Sequence, residues 1–476
     1  MKRFGAAILF ILFGASCGRY VNDPFALAPS SPYASWTPMK GNVLVSSKFC
    51  QTLLPPAFND QSELSLAQLL DIALQNNPST KRTWAEAREA AAIYGQSLSA
   101  FYPNINFDGS FTRQKGTFID LGPAIEFFQT TAGPDATLTY TLFDFGQRTA
   151  ASIAAREALY FADLNHNQQI QIVIQTVMDS YYVYLYQTEK LQATEANLQN
   201  AQTALDAANQ KFALGLAALG DVAQARTQFL QCKINLTNQR QNTDNSLSRL
   251  TTHLGLPANV PFRIQTLPEQ LAHASILESV DQLIEIAQIQ RQDFLATQSD
   301  VRSKEAYLLQ AKRAVLPVLG SNFDFGKYYF QGGETENYHW TATVTLNFPI
   351  FHGFYYKNGV RKAEARLEFA QAQMMQTELT VIEDVTVAHL GVKTAALNLS
   401  DTAEYVKAAE LEFNVALSNY RAGTDTILAV MSAQSSLADA RAKRAAAQRE
   451  WFTSLSQIAY ATGSLCATPS EPSCIN

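Results

Sequence analysis

The sequence predicts an α+β membrane protein, with long coiled-coil helices and paired strands of membrane length, laid out as an internal tandem repeat. Three observations predict it. Local blocks recur in the same order in the two halves of the chain. Long stretches carry helical periodicity without glycine or proline, and segments of period-two alternation stand between them. The composition agrees: of 476 residues, 47% are hydrophobic and 16% charged, with a formal net charge of -6. A soluble domain carries roughly 25% charged residues. The mean hydropathy of -0.10 excludes a bundle of spanning helices, because each needs about 20 consecutive apolar residues. A mild acidic balance leaves no footprint for nucleic acid as a partner.

The chain opens on an address. Lys2 and Arg3 precede the apolar run Phe4 to Phe13, then Gly14-Ala15-Ser16 and Cys17. A basic region, a short apolar region and small residues before the cut make residues 1–16 a secretory signal peptide. Residues 17–64 contain Pro29, Pro32, Pro38, Pro55 and Pro56 and are expected to form an irregular lead segment. Of the other cysteines, Cys466 and Cys474 bracket a proline-containing tail and are placed to close a small loop in an oxidising compartment. Cys232 sits within a helical pattern as a small buried hydrophobe. The six histidines are scattered singly, so neither a metal site nor another cofactor is expected.

The repeat comes next. Leu69-Leu70-Asp71-Ile72-Ala73, leading to Pro103, returns as Leu283-Ile284-Glu285-Ile286-Ala287, leading to Pro317 at the same spacing. Ala136-Thr137-Leu138-Thr139 and Leu142-Phe143-Asp144 are echoed by Ala342-Thr343-Val344-Thr345 and Ile350-Phe351-His352. Lys211-Phe212-Ala213-Leu214-Gly215 answers Asn419-Tyr420-Arg421-Ala422-Gly423. The first unit spans 65–256, a linker 257–279, the second unit 280–463 and a tail 464–476. Each unit is expected to read helix, strand, strand, helix, helix.

Between Gly146 and Gly215 no glycine or proline occurs, and Ile170, Val173, Ile174, Val177, Tyr181 and Tyr184 recur at helical spacing. At 1.5 Å per residue that is a rod of roughly 100 Å. Its counterpart, Gly359 to Gly423, is interrupted by Gly391 alone. Shorter helices are predicted over Leu66 to Phe101, Asp221 to Leu254, Val280 to Leu316 and Thr426 to Ala461. Ala193, Ala196, Ala201, Ala204, Ala207 and Ala208 allow close helix approach, as in a coiled-coil core.

Four strands fill the gaps. Ile105, Phe107, Gly109 and Phe111 alternate with polar residues, as do Leu138, Tyr140 and Leu142. Trp340, Ala342, Val344, Leu346 and Phe348 repeat the pattern, and Leu319, Phe323 and Phe325 follow it less cleanly. Each stretch matches a tilted membrane strand of about 9–11 residues. Phe101, Tyr102, Phe143, Phe145, Tyr328, Tyr329, Tyr338, Phe354, Tyr355 and Tyr356 crowd the strand ends like an interfacial aromatic girdle. Four strands cannot close a membrane barrel, since the smallest has about eight. If they span, several chains share one barrel.

With the duplicated unit, Lys211-Phe212-Ala213-Leu214-Gly215 before Asp221-Val222 and Ala225-Arg226, Tyr420-Arg421-Ala422-Gly423-Thr424, and Pro349-Ile350-Phe351, the sequence resembles the TolC/OprM family of outer-membrane efflux proteins. The resemblance implies a homotrimer with four strands per chain in one twelve-stranded transmembrane barrel, continued into the periplasm by a helical tube. It implies a passive channel of a tripartite efflux or type I secretion system, fed by an inner-membrane pump of RND, ABC or MFS type through a periplasmic adaptor. Cys17 resembles a lipobox cysteine that would be acylated, although Gly14 stands where the family usually has Leu; ordinary cleavage nearby is the alternative. If Cys17 is lipidated, the next residue, Gly18 rather than Asp, points by resemblance to sorted lipoproteins to the outer membrane. By the same resemblance the turns at Gly215, Leu216, Gly423 and Thr424 meet the adaptor, and Asp221, Tyr420, Thr424 and Asp425 form the periplasmic gate. Ala429 and Ser432 replace the aspartates that ring the best-known entrance, and Asp425 replaces an arginine, so Asp425 is either the source of an acidic ring or a solvated turn residue. No Walker loop, Gly-x-Ser-x-Gly motif or zinc-binding His pair supports an enzyme. A non-conducting coiled-coil scaffold or adhesin lipoprotein is the alternative.

Overall fold

A computed structural model describes residues 25, 28–29, 31–34, 36, 63–118, 125–258, 260, 262–265, 279–330 and 337–465. In chain order its elements are β1 (Glu63–Leu64), α1 (Leu66–Asn76), α2 (Pro78–Leu98), β2 (Asn104–Phe118), β3 (Ile125–Phe143), α3 (Gln147–Ala213), α4 (Leu219–His253), β4 (Arg263–Ile264), α5 (Val280–Gln290), α6 (Gln292–Arg313), β5 (Val318–Phe330), β6 (Asn337–Asn347), α7 (Tyr355–Ala422) and α8 (Ile427–Ala461). Two helices, two strands and two helices therefore occur twice in one order. The long rods are continuous: α3 has 67 residues and α7 has 68, running over both Gly359 and Gly391. Among the described residues no helix is long and apolar enough to cross a membrane.

The expectation of one helix before each strand pair is corrected, because each is two helices. α1 starts on a capping box in which the Ser65 and Gln68 side chains satisfy each other's backbone N–H groups, and α5 starts on the same box between Ser279 and Gln282. Both helices then stop at an extended residue, Asn77 with ψ 125° and Arg291 with ψ 120°. Pro78 explains the first break, since it disfavours helical geometry in the residue before it and has no N–H to donate. The second break has no proline. There the buried Arg291 guanidinium reaches Asp384 and Asp293, each at 2.7 Å.

The chain forms two units: the described residues of Met1–Pro29, Glu86–Asp163 and Ala296–Met375, and those of Ser30–Ala85, Leu164–Leu295 and Gln376–Asn476. In the first, four antiparallel strands form one sheet in the order β2-β3-β5-β6. The strands have 15, 19, 13 and 11 residues, so three exceed the expected span, and Phe348 falls just beyond β6. The register sorts side chains into faces. Ile105, Leu138, Phe323 and Ala342 lie in one row, and Phe107, Ala136, Phe325 and Trp340 in another on the same face. The opposite face carries Asn104, Thr139, Asn322 and Thr343, then Asn106, Thr137, Asp324 and Thr341. Phe107 is 77% exposed and Trp340 69%, so no described residue covers the apolar face there.

In the second unit, Leu69, Ile72 and Ala73 of α1 pack with Ile170, Val173 and Val177 of α3, Leu250 of α4, and Ile264 of β4. β4 pairs in parallel with β1, so the linker between repeats is tied to the lead segment at Leu64 and Ile264. A second core lies along α3, α4, α7 and α8, where Ala204, Ala208, Ala225, Ala409, Ala433 and Ala440 surround Phe413, Tyr420 and Leu437. Small residues permit this close approach of helices. Gly255 and Gly463, just past α4 and α8, have φ of +77° and +76°. A Cβ on Gly255 would lie 2.7 Å from the Asn76 backbone, and one on Gly463 2.8 Å from that of Gln290. Each repeat thus ends on a glycine seated against its own helix break.

Two buried polar groups on α3 make stability depend on pH. Burial raises the Asp163 carboxyl to about 8 and lowers the His166 imidazole to about 4. Neither Asp163 oxygen has a hydrogen-bond partner among the described residues, while His166 Nδ1 lies 2.9 Å from Thr83 Oγ1. The raised Asp163 value means that its contribution is full below the unfolded value near 3.8 and is lost as pH rises toward 8. The lowered His166 value works oppositely, its contribution being lost as pH falls from 6.5 toward 4. The two slopes nearly cancel at mildly acidic pH, and Asp163 alone acts above 6.5. Asp163→Asn should therefore stabilise the fold by about 4 kcal/mol at pH 7 and hardly at all near pH 4. Thermal melts at the two pH values check this; equal shifts at both would contradict it.

Candidate functional site

The two helix turns that carry most of the expected site residues lie together in the second unit. Each is a C-terminal cap closed by glycine in the left-handed region, Gly215 with φ +72° and Gly423 with φ +86°. The Leu216 N–H donates to Lys211 O at 2.8 Å, and the Thr424 N–H donates to Asn419 O at 3.0 Å. These are matching positions of the two repeats. After the turns, Asp221 accepts from the Ala218 N–H at 3.2 Å, Asp425 from the Thr426 N–H at 2.7 Å, and Thr426 caps α8.

A cleft of about 430 Å³ brings together Lys211, Leu216, Asp221, Tyr420, Gly423 and Asp425. Gly215 and Thr424 do not line it. The Thr424 hydroxyl donates to Asn419 O at 3.1 Å and serves its own turn. Tyr420 is 3% exposed, yet its hydroxyl has no hydrogen-bond partner among the described residues. Burial first, and the nearby Asp221 charge second, raise the phenol above its ordinary range. The residue that sequence reasoning left without a role is Lys211. Its ammonium sits 4.3 Å from the Tyr420 ring centroid and donates to the Tyr420 carbonyl, tying one turn to the other. A lysine in the last turn of a helix, where carbonyls lack partners, was the available signal. Leu214, Leu216, Leu219 and Leu428 stand exposed around the turns, each at 66% or more.

The polar face of the sheet forms a second feature. Asp108, Asp135, Gly326 and His339 share one row. Because Gly326 has no side chain, His339 Nε2 reaches Asp135 Oδ1 at 3.4 Å across the intervening strand. A Cβ on Gly326 would lie 2.4 Å from the imidazole. The strand-to-helix corners use paired left-handed residues, Phe145 and Gly146 in one repeat, Gly353 and Phe354 in the other. In the first corner Asp144 accepts from the Arg148 N–H at 2.7 Å, and the Arg148 guanidinium donates to Thr141 O at 2.7 Å. In the second, His352 and Tyr356 occupy those places and make a ring contact at 5.6 Å. Among the described residues no group of His, Cys, Asp and Glu is arranged to hold a metal ion, and Cys232 is a buried free thiol. Cys17, Cys466 and Cys474 lie outside the described residues.

The outer membrane efflux protein family model matches residues 69–256 and 283–464, once on each repeat. The chain belongs to the outer membrane efflux protein family. It is 23% identical over 411 residues to the outer membrane protein TolC of Salmonella enteritidis, covering 84% of this chain and 82% of that protein. The pyoverdine export outer membrane protein OpmQ of Pseudomonas putida is 24% identical over 454 residues, 91% of each chain. Among solved structures, the outer membrane protein VceC of Vibrio cholerae superposes with a TM-score of 0.75 at 19% identity, covering 84% of this chain and 96% of that one. Members of the outer membrane efflux protein family are channels, so this protein is an outer-membrane efflux channel and not an enzyme.

Proposed function

We propose that three copies of the chain form one conducting assembly, with twelve strands closed into a transmembrane barrel and the helices of the two repeats continuing it as a periplasmic tube. The observation that carries this reading is the four-stranded sheet, which has one apolar face, one polar face and edges on β2 and β6 that no described residue of the single chain pairs with. Lipid does not tolerate unpaired backbone edges, so spanning strands must close on one another. Pairing β6 of one copy with β2 of the next removes the edges, turns the apolar face to lipid and leaves the polar face lining the pore. Cysteines placed on β2 and β6 should therefore crosslink between chains into a covalent species of three chains. Crosslinking only within one chain, or an endless ladder, would overturn the trimer.

Transport is passive, driven by an inner-membrane pump of RND, ABC or MFS type through a periplasmic adaptor. The adaptor meets the turns at Gly215, Leu216, Gly423 and Thr424, where exposed leucines surround the caps. Asp221, Tyr420, Thr424 and Asp425 form the gate: the Tyr420 hydroxyl, unpartnered among the described residues, bonds to a neighbouring copy. Asp425, three times around the axis, supplies the acidic ring at the entrance. Asp425→Asn should reduce cation selectivity measured by reversal potential, and an unchanged potential would reduce Asp425 to a solvated turn residue. Cys17 carries a lipid and Cys466 pairs with Cys474. Intact mass before and after reduction tests both, an unmodified N-terminus or unchanged thiol count being the contrary result.

A further inference from the structure

In the first unit, α6 leads into β5 and α7 follows β6, and a groove of about 920 Å³ opens between them. Its α7 wall is a single stripe, with Tyr355, Gly359, Lys362, Arg366 and Phe369 at intervals of three and four residues. Lys304 and Tyr307 of α6 face it. Gly359 and the alanines 311, 314 and 363 keep the walls low between the larger side chains. Lys304 is paired with Asp300 at 2.8 Å. No ion pair among the described residues involves Lys362 or Arg366. Two cations on successive turns of one helix face repel each other, so an anion between them is favoured.

The groove also has a defined depth. Gln147 lies four residues after β3, Ala314 four before β5 and Tyr355 eight after β6, and all three line it. Exposed Phe351, Phe354 and Tyr355 mark that level as an aromatic belt. Lys362 lies two helical turns beyond Tyr355, roughly 10 Å at 1.5 Å per residue. The headgroup layer extends about 5–8 Å beyond the hydrocarbon, and a lysine or arginine reaches back toward it on its flexible stem.

We propose that this groove binds an anionic phospholipid of the periplasmic leaflet. Lys362 and Arg366 hold the phosphate, and Tyr307 and Tyr355 flank the glycerol and upper acyl chains. The proposal rests on the reading that the strands span the membrane. Anionic lipid would then brace the junction between barrel and tube, a surface distinct from the helix turns of the gate.

The test is native mass spectrometry of the delipidated channel assembly in neutral detergent, titrated with phosphatidylglycerol or phosphatidylethanolamine. Phosphatidylglycerol should bind at least about tenfold more tightly. The double substitution Lys362→Gln and Arg366→Gln should remove that preference. So should Gly359→Leu, which fills the groove with the charges intact, its Cβ meeting nothing within 4 Å. Equal binding of the two lipids, binding unaffected by either variant, or complete displacement by millimolar inorganic phosphate would overturn the proposal. Dissociation of both variants into single chains would also overturn it, making the groove a seam between copies. Failure of the membrane reading shows differently, as wild-type protein that opens no pore in a bilayer.

Discussion

Gly463→Ala and Gly255→Ala should each destabilise the folded protein by about 3 kcal/mol or more, while Gly215→Ala should cost about 1 kcal/mol. All three glycines have nearly the same left-handed φ, between +72° and +77°, so conformational strain alone predicts equal effects. What separates them is space. A Cβ at 463 meets the carbonyl carbon of Gln290 at 2.8 Å and the Arg291 nitrogen at 2.9 Å, whereas one at 215 meets nothing within 4 Å. The atoms in the way are backbone, held by the ion pairs of Arg291, and cannot move aside as a side-chain tip would. Denaturation of the three variants side by side checks the ranking; equal losses at 215 and 463 would show that the helix break and the repeat end are not locked together.

The second large effect is expected at Lys211. A cation over an aromatic face contributes about 0.5–2 kcal/mol, and here the same ammonium also donates to the Tyr420 carbonyl. If the closed gate depends on this tie, Lys211→Met should shift the open-to-closed ratio roughly 5–30-fold per chain toward open, the equivalent of about 1–2 kcal/mol. Lys211→Arg, which keeps both charge and donor, should stay near wild type. Single-channel open probability is the readout, and an unchanged value for Lys211→Met would remove the lysine from gating. The same variant should lower global stability by no more than the tie itself contributes, since the turn's own hydrogen bonds from Leu216 and Thr424 remain.

The rods and strands were legible in the sequence because their signals are periodic and local. Ile170, Val173, Ile174 and Val177 are all buried on α3, and Ile105, Phe107 and Phe111 all stand exposed on β2, as helical spacing and strict alternation require. The duplication was legible for the same reason. What escaped depends on partners distant in the chain. Arg291 reads as one more polar helix residue until Asp384 comes beside it. Gly255 and Gly463 read as ordinary helix stops, and only the packed structure shows the backbone they touch. Lys211 was visible as part of a recurring block, but its ring partner Tyr420 belongs to the other repeat. Gly326 reads as a weak point in a strand, whereas the sheet uses the gap to join Asp135 to His339. Local strand lengths also fell short, because alternation weakens near Gly133 and Pro134 while pairing with β2 continues through them.

A conducting protein of this fold requires that chains with four strands each close a shared pore. Reconstituting the purified protein in a planar lipid bilayer tests it most directly. Discrete, uniform conductance steps from the trimeric fraction, absent from the monomeric fraction, are the predicted result. A stable trimer that inserts without conducting would contradict it and make the protein a coiled-coil scaffold anchored at the outer membrane.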